Sequence, residues 1–176
     1  MPEEGFTVWF TGWSGAGKTT IAIALEEELN KRNIGPVQRL DGDIIRSDLC
    51  SDLGFSKEDR NENIKRATFV AELLSKNGVA TLVSFISPYI SLRERARHKC
   101  HNFIEVYVKC DRDTLINRDV KGLYKQAIEG EIKEFTGITD PYEEPENPEI
   151  VLNTAEEDIS ESVGKVIEYL EEKGHI

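Results

Sequence analysis

Gly12, Gly17, Lys18 and Thr19 fall in the spacing G-x-x-x-x-G-K-[ST], within the stretch TGWSGAGKTT. Glycines at such places let the backbone curl so that successive N–H groups face inward as an anion nest. A helix starting there adds its positive end. The lysine reaches β- and γ-phosphates as a point charge, and the threonine hydroxyl is a ligand for Mg²⁺. The pattern points to ATP or another nucleoside triphosphate held by Gly12, Trp13, Ser14, Gly15, Ala16, Gly17, Lys18, Thr19 and Thr20.

The fate of the phosphate rests on other residues. A GTPase switch needs an NKxD and a DxxG; neither is present, and NKRN at Asn30 lacks the Asp. A small-molecule kinase needs an acceptor pocket and a carboxylate near the metal or the acceptor hydroxyl. In LDGDIIR, Asp43 could orient metal-bound water or take the acceptor's proton, and Arg46 could hold an anion; a tight turn with a helix cap explains the same residues. Arg60 and Asn63 are three apart and share a helix face, suited to a phosphate or sulfate and a base or ribose. A solvated face with a Glu62–Arg66 pair is the plainer alternative. Phe55 could stack on a purine or belong to the core. Ser87 could bond a phosphate or cap a helix. Arg118 and Lys121 could close over phosphates or simply end a polar helix.

These residues need a frame. FTVWFT reads as a buried strand, and Ile21, Leu25 and Leu29 recur at the helix period after it. VQRLDGD reads as a second strand, ending near Asp41. A long amphipathic helix over KEDRNENIKRATFVAELLSKNG is closed by Gly78. VATLVSFI, FIEVYVKC and EIVLNT are strands three to five, and EDISESVGKVIEYLEEKG is a closing helix. Alternating strands and helices predict an α/β fold of three layers, with a mainly parallel five-stranded sheet and right-handed crossovers. FTGITDPYEEPENPE, rich in Pro, Gly and acid, is either a solvated loop or a mobile segment over a site at the C-terminal end of the sheet.

The chain has 176 residues, enough for one domain with a real core. Its formal net charge of -11 disfavours a nucleic-acid partner. No apolar run is long enough to span a bilayer, and no secretory signal is visible, so neither a membrane nor export is expected. Cys50, Cys100 and Cys110 have no CxxC spacing. Neither a disulfide framework nor a zinc ribbon is expected, and a reducing cytoplasm is the default. RERARHKCH, which holds two histidines beside Cys100, reads as a solvated helix running into a strand rather than a metal site.

Several motifs in order resemble the adenylylsulfate kinase (APS kinase) family: GWSGAGKTT, LDGDIIRSDLCSDLGFSKEDRNENIKR, FISPY, EVYVKC and RDVKGLYKQAIEGEIKEFTGITDPYEEPENPE. They span roughly Phe6 to Asn153. The resemblance implies a nucleotide-kinase-like P-loop fold with a lid over about 117–149. It implies transfer of the ATP γ-phosphate, with Mg²⁺, to the 3′-hydroxyl of adenosine 5′-phosphosulfate (APS), giving PAPS. By the same resemblance Asp43 serves the acceptor and, with Thr19, the metal. Arg46, Arg60, Asn63, Ile86 and Ser87 line the APS pocket, with Lys121, Leu123 and Gly137 contacting from the lid. Phe55 and Phe135 sandwich the APS adenine, and Arg118 stacks on the ATP adenine. Ser87 matches a serine described in the family as a phosphoserine, although direct in-line transfer needs no covalent step. Lys18, Arg46, Arg60 and Lys121 would converge on the two anionic ligands within an otherwise acidic surface. Family members are commonly homodimers and work beside an ATP sulfurylase. Trp13, Ile90 and Val120 depart from the family's usual Leu, Arg and Pro. Two rivals are a related small-molecule kinase and a non-catalytic nucleotide-binding module; intact Lys18, Thr19 and Asp43 argue against the second.

Overall fold

The computed structural model describes residues 5–119 and 121–176; Val120 lies outside them. Five strands form one sheet: β1 (Thr7–Thr11), β2 (Val37–Asp41), β3 (Ala80–Ser84), β4 (Phe103–Lys109) and β5 (Ile150–Asn153). Their order is β2-β3-β1-β4-β5, and every pairing is parallel. Parallel neighbours need crossovers, and helices supply them on both faces. The α/β architecture expected from the alternation is present.

Alternation along β1 divides the core. Val8 and Phe10 face one side, with Ile21, Leu25 and Leu29 of α1 (Lys18–Lys31) and Val166, Ile167 and Leu170 of α7 (Ile159–Glu172). Trp9 faces the other side, with Ile64, Ala67 and Ala71 of α3 (Lys57–Lys76) and Leu92 and Ala96 of α4 (Ile90–Lys99). Two of the long helices, α3 and α7, begin where short polar side chains satisfy their first N–H groups. Ser56 accepts from Asp59 N before α3, and Asp158 with Glu161 forms a capping box before α7.

Three short helices complete the chain: α2 (Gly42–Ser47), α5 (Arg112–Arg118) and α6 (Leu123–Ile128). α2 starts directly at the end of β2, capped by the Asp41 side chain. The strands' C-terminal ends therefore meet α1, α2 and the long connection from β4 to β5 on one side of the sheet, where ligands bind in such folds. No helix among the described residues is long and apolar enough to cross a membrane.

The RERARHKCH stretch departs from its expected solvated state. Arg93 is 2 % exposed and paired with the buried Glu105, Nε to Oε1 at 2.7 Å. Arg97 reaches Glu105 and Glu149. The partners lie on β4 and just before β5, so the stretch itself carries no sign of them. Among the described residues no three His, Cys, Asp or Glu side chains form a metal cluster.

Candidate active site

The turn after β1 is shaped by close approach. Gly12 has φ 148°, and a Cβ there would stand 2.3 Å from the Val108 carbonyl oxygen. Only glycine fits. The turn's carbonyls are tied down from several sides. Lys18 Nζ donates to the carbonyls of Gly12 (2.9 Å) and Trp13 (2.7 Å). The Tyr124 hydroxyl donates to Ser14 O at 2.7 Å, and the Thr154 hydroxyl to Ala16 O at 2.8 Å. Ala16 N also donates to Trp13 O at 3.2 Å and Gly12 N to Ile86 O at 3.5 Å, so the nest falls to the remaining N–H groups of the turn.

Lys18 is buried at the start of α1. Burial, followed by the nearby charge of Lys121, lowers its pKa to about 7, against the opposing pull of Asp43 and Asp41. Thr19, one residue on, donates its hydroxyl to Asp41 Oδ2 at 2.8 Å. A hydroxyl beside a carboxylate at a helix N-terminus is a hard oxygen donor set that fits a magnesium ion. Asp41, which sequence reasoning placed nearby without a role, is thus the carboxylate in contact with Thr19. Asp43 is exposed and takes Lys121 Nζ on Oδ2 at 2.5 Å.

Beside the turn, Ser14, Gly15, Leu115, Arg118, Lys121 and Leu123 line one cleft. This gathers residues of the turn with the α5–α6 cations. Arg118 donates to Thr154 O at 2.7 Å, which fixes its guanidinium at the mouth of the cleft.

The acceptor candidates occupy α2, α3 and the connection before β5. Arg60 and Asn63 are buried on α3 rather than solvated. Arg60 donates to Thr136 Oγ1 (3.0 Å) and Glu134 O (2.7 Å) and pairs with Asp140 at 2.6 Å. Asn63 Oδ1 is buried with no hydrogen-bond partner, an orphan that a ligand donor would satisfy. Arg46 donates to Gly54 O at 2.7 Å and lies 4.7 Å over the Phe55 ring. Burial chiefly lowers the Arg46 pKa, and the charge of Arg60 adds to it, so the two cations share one field.

Phe55 and Phe135 have no ring contact with each other. Phe55 is 60 % exposed, whereas Phe135 is 8 % exposed and edge-on to Tyr124 at 5.0 Å. Ile86 and Ser87 form the loop after β3, roped to the end of β1. The Thr11 hydroxyl donates to Ile86 O at 2.7 Å, and Trp9 Nε1 to Ser87 Oγ at 2.9 Å. Ser87 is 1 % exposed, so its hydroxyl faces the core. Gly137, at φ 90°, lies against the Trp13 ring, which would stand 3.0 Å from an added Cβ.

Tyr124, Thr154, Arg93 and Tyr142 support the site and were missed in the sequence. Tyr142 bonds Thr11 Oγ1 at 2.9 Å and stacks on Tyr107 at 6.2 Å. Burial raises its pKa to about 12, which keeps it a neutral phenol. Only the PYE motif marked Tyr142, and nothing local marked the other three.

The family profile of adenylylsulphate kinase matches residues 4–153. A Halothermothrix orenii protein named adenylyl-sulfate kinase is 58% identical over 99% of this chain and 94% of its own length. A probable adenylyl-sulfate kinase of Pseudomonas aeruginosa is 60% identical over 95% of this chain and 78% of its own. Among solved structures, the Mycobacterium tuberculosis APS kinase in complex with AMPPNP and APS superposes with a TM-score of 0.91 at 42% identity, covering 97% of this chain and 99% of that one. The glycine-rich turn with its buried lysine, the buried Arg60 and Asn63 on α3 and these likenesses over nearly the whole length lead to one assignment: the chain belongs to the adenylylsulfate kinase family.

Proposed function

We infer that this protein is an adenylylsulfate kinase, transferring the γ-phosphoryl group of ATP to the 3′-hydroxyl of adenosine 5′-phosphosulfate and releasing PAPS and ADP in sulfate activation. The observation that carries the reading is the likeness, over 97% of the chain, to an APS kinase holding AMPPNP and APS.

The residues divide the work. The turn from Gly12 to Thr20 cradles the ATP phosphates, and Lys18 balances charge on the transferred group. Magnesium, when bound, neutralises phosphate charge; Thr19 and Asp41 would hold it, with Asp43 near the acceptor. Arg118 and the α5–α6 cleft receive the nucleotide base. Arg46, Arg60 and Asn63 bind the phosphosulfate and nucleoside of the acceptor, with the Ile86–Ser87 loop, Lys121, Leu123 and Gly137 around it. Asp43 takes the acceptor's proton as its oxygen attacks. Phe55 and Phe135 flank the acceptor adenine once Phe55 leaves its exposed position. Ser87 acts through its backbone and its packing: a hydroxyl turned into the core supports direct in-line transfer over a phosphoserine intermediate.

The finer proposals are a cytoplasmic homodimer that receives its acceptor from an ATP sulfurylase. Phe69 and Leu73, exposed one turn apart on α3, are apolar side chains suited to a second copy. The test is turnover with MgATP and APS, following PAPS and ADP, with adenosine 5′-monophosphate as control acceptor. PAPS from APS with the control nearly inert supports the reading. ATP binding without PAPS rejects it in favour of a regulatory module, and another preferred acceptor rejects it in favour of a related kinase.

A further inference from the structure

Three arginines fasten the irregular connection that precedes β5. Arg60 holds its beginning through Glu134, Thr136 and Asp140. Arg97 holds its end, donating to Glu149 Oε1 at 2.5 Å and Oε2 at 3.0 Å. Arg93 holds its middle and does more. Nε donates to Glu105 Oε1 (2.7 Å), Nη2 to Glu143 O (2.7 Å) and Nη1 to Ser87 O (2.6 Å). One buried guanidinium thus joins the central sheet, the connection and the loop after β3.

Both chain segments need such a holder. Ser87 has φ 47°, a backbone region that residues with a Cβ rarely occupy and that persists only where surroundings fix it. Glu143 has no regular structure to hold it. Its N–H donates to Pro88 O at 2.8 Å, and its Oε2 accepts from Ile90 N at 2.7 Å. That carboxylate serves as the cap of α4, whose N-cap residue, Tyr89, supplies no side-chain bond. Tyr142 lies under the guanidinium at 5.8 Å from its ring centre.

Stability alone is a weak reason to bury this ion pair, because well-packed apolar residues do as well or better. What the planar fork supplies is direction: three acceptors at fixed angles, which a lysine cannot match.

We propose that Arg93 is a positioning residue for the acceptor side, locking the Ser87 loop and the Tyr142–Glu143 stretch into a single wall of the APS pocket. It touches no substrate and acts through Ser87. The proposal rests on the acceptor reading given above.

The test compares two variants of the full chain. Arg93→Lys keeps the charge and loses the fork. Glu143→Ala spares the buried pair and removes only the surface hook on α4. We expect Arg93→Lys to raise KM for APS by about tenfold, while KM for ATP and binding of a fluorescent ATP analogue stay unchanged. Glu143→Ala shifts the same parameter by about threefold. A merely structural role would lower the melting temperature and weaken both substrates together, and that result overturns the proposal. So does an unchanged KM for APS in both variants. If Arg93→Lys does not fold, Glu143→Ala decides by the same split. A wild-type protein that binds ATP yet leaves APS unphosphorylated rejects the kinase reading, and this proposal with it.

Discussion

Lys18 is an ammonium kept where water would hold it better. Its folded pKa, about 7, lies below its ordinary 10.5. Between those values the unfolded chain binds the extra proton, so this group's contribution to stability rises with pH across the window and its penalty is full below about 7. Lys18→Met should therefore melt no lower than wild type at pH 7, while turnover falls by at least about 10²–10³-fold. Parallel loss of melting temperature and activity would show that Lys18 holds the fold rather than the phosphate. Phosphates entering the turn favour the charged lysine, so nucleotide binding at pH 8 should take up protons. Calorimetry in buffers of different ionisation heat reads this directly, and no uptake would contradict the assigned role. Arg60→Ala should raise KM for APS far more than KM for ATP, because its charge-assisted bonds lie on the acceptor side; equal losses would remove Arg60 from that pocket. The strand–turn–helix frame of the proposed nucleotide site was legible because G-x-x-x-x-G-K-[ST] is local and each position answers to one physical need. Asp41 was not singled out over Asp43, since two acids around a glycine look alike until the strand's end directs one of them at Thr19.

At the scale of elements, the strands and long helices were readable from periodicity and caps. What periodicity hid was the state of α4. Its charge suggested a solvated helix, but Arg93 and Arg97 find Glu105 and Glu149 through tertiary pairing, and that wins over the local pattern. The connection before β5 was equally opaque: its Pro, Gly and acid content describes a loop, and the arginines that bind it lie on other elements. Its contact with the phosphate turn can be tested at Gly137. Gly137→Ala combines a φ of 90° with a Cβ 3.0 Å from the Trp13 ring. We expect a stability loss of about 1–2 kcal/mol in denaturant unfolding, with a lower kcat as the segment shifts from the turn. A variant as stable and active as wild type would mean that the segment does not need this approach.

For the molecule as a whole, 33 acidic residues against 22 basic ones leave a surface unsuited to anions, yet both inferred substrates are anions. Two of the cations that matter, Lys18 and Arg60, are kept inside, and the exposed Lys121 is paired with Asp43. Attraction is then short-ranged and confined to the site, while the exterior favours solubility. Sedimentation velocity at micromolar concentration should give a two-chain particle; a one-chain mass would reject the homodimer. The chain's two tryptophans divide between the two sides of the reaction. Trp9 gives its indole N–H to Ser87, and Trp13 packs on Gly137 within the phosphate turn. The protein therefore carries its own pair of optical reporters. In Trp9→Phe the remaining emission should follow ATP most strongly, with APS felt only through Gly137, and in Trp13→Leu it should follow APS, so the order in which substrates arrive becomes readable from light, without a label.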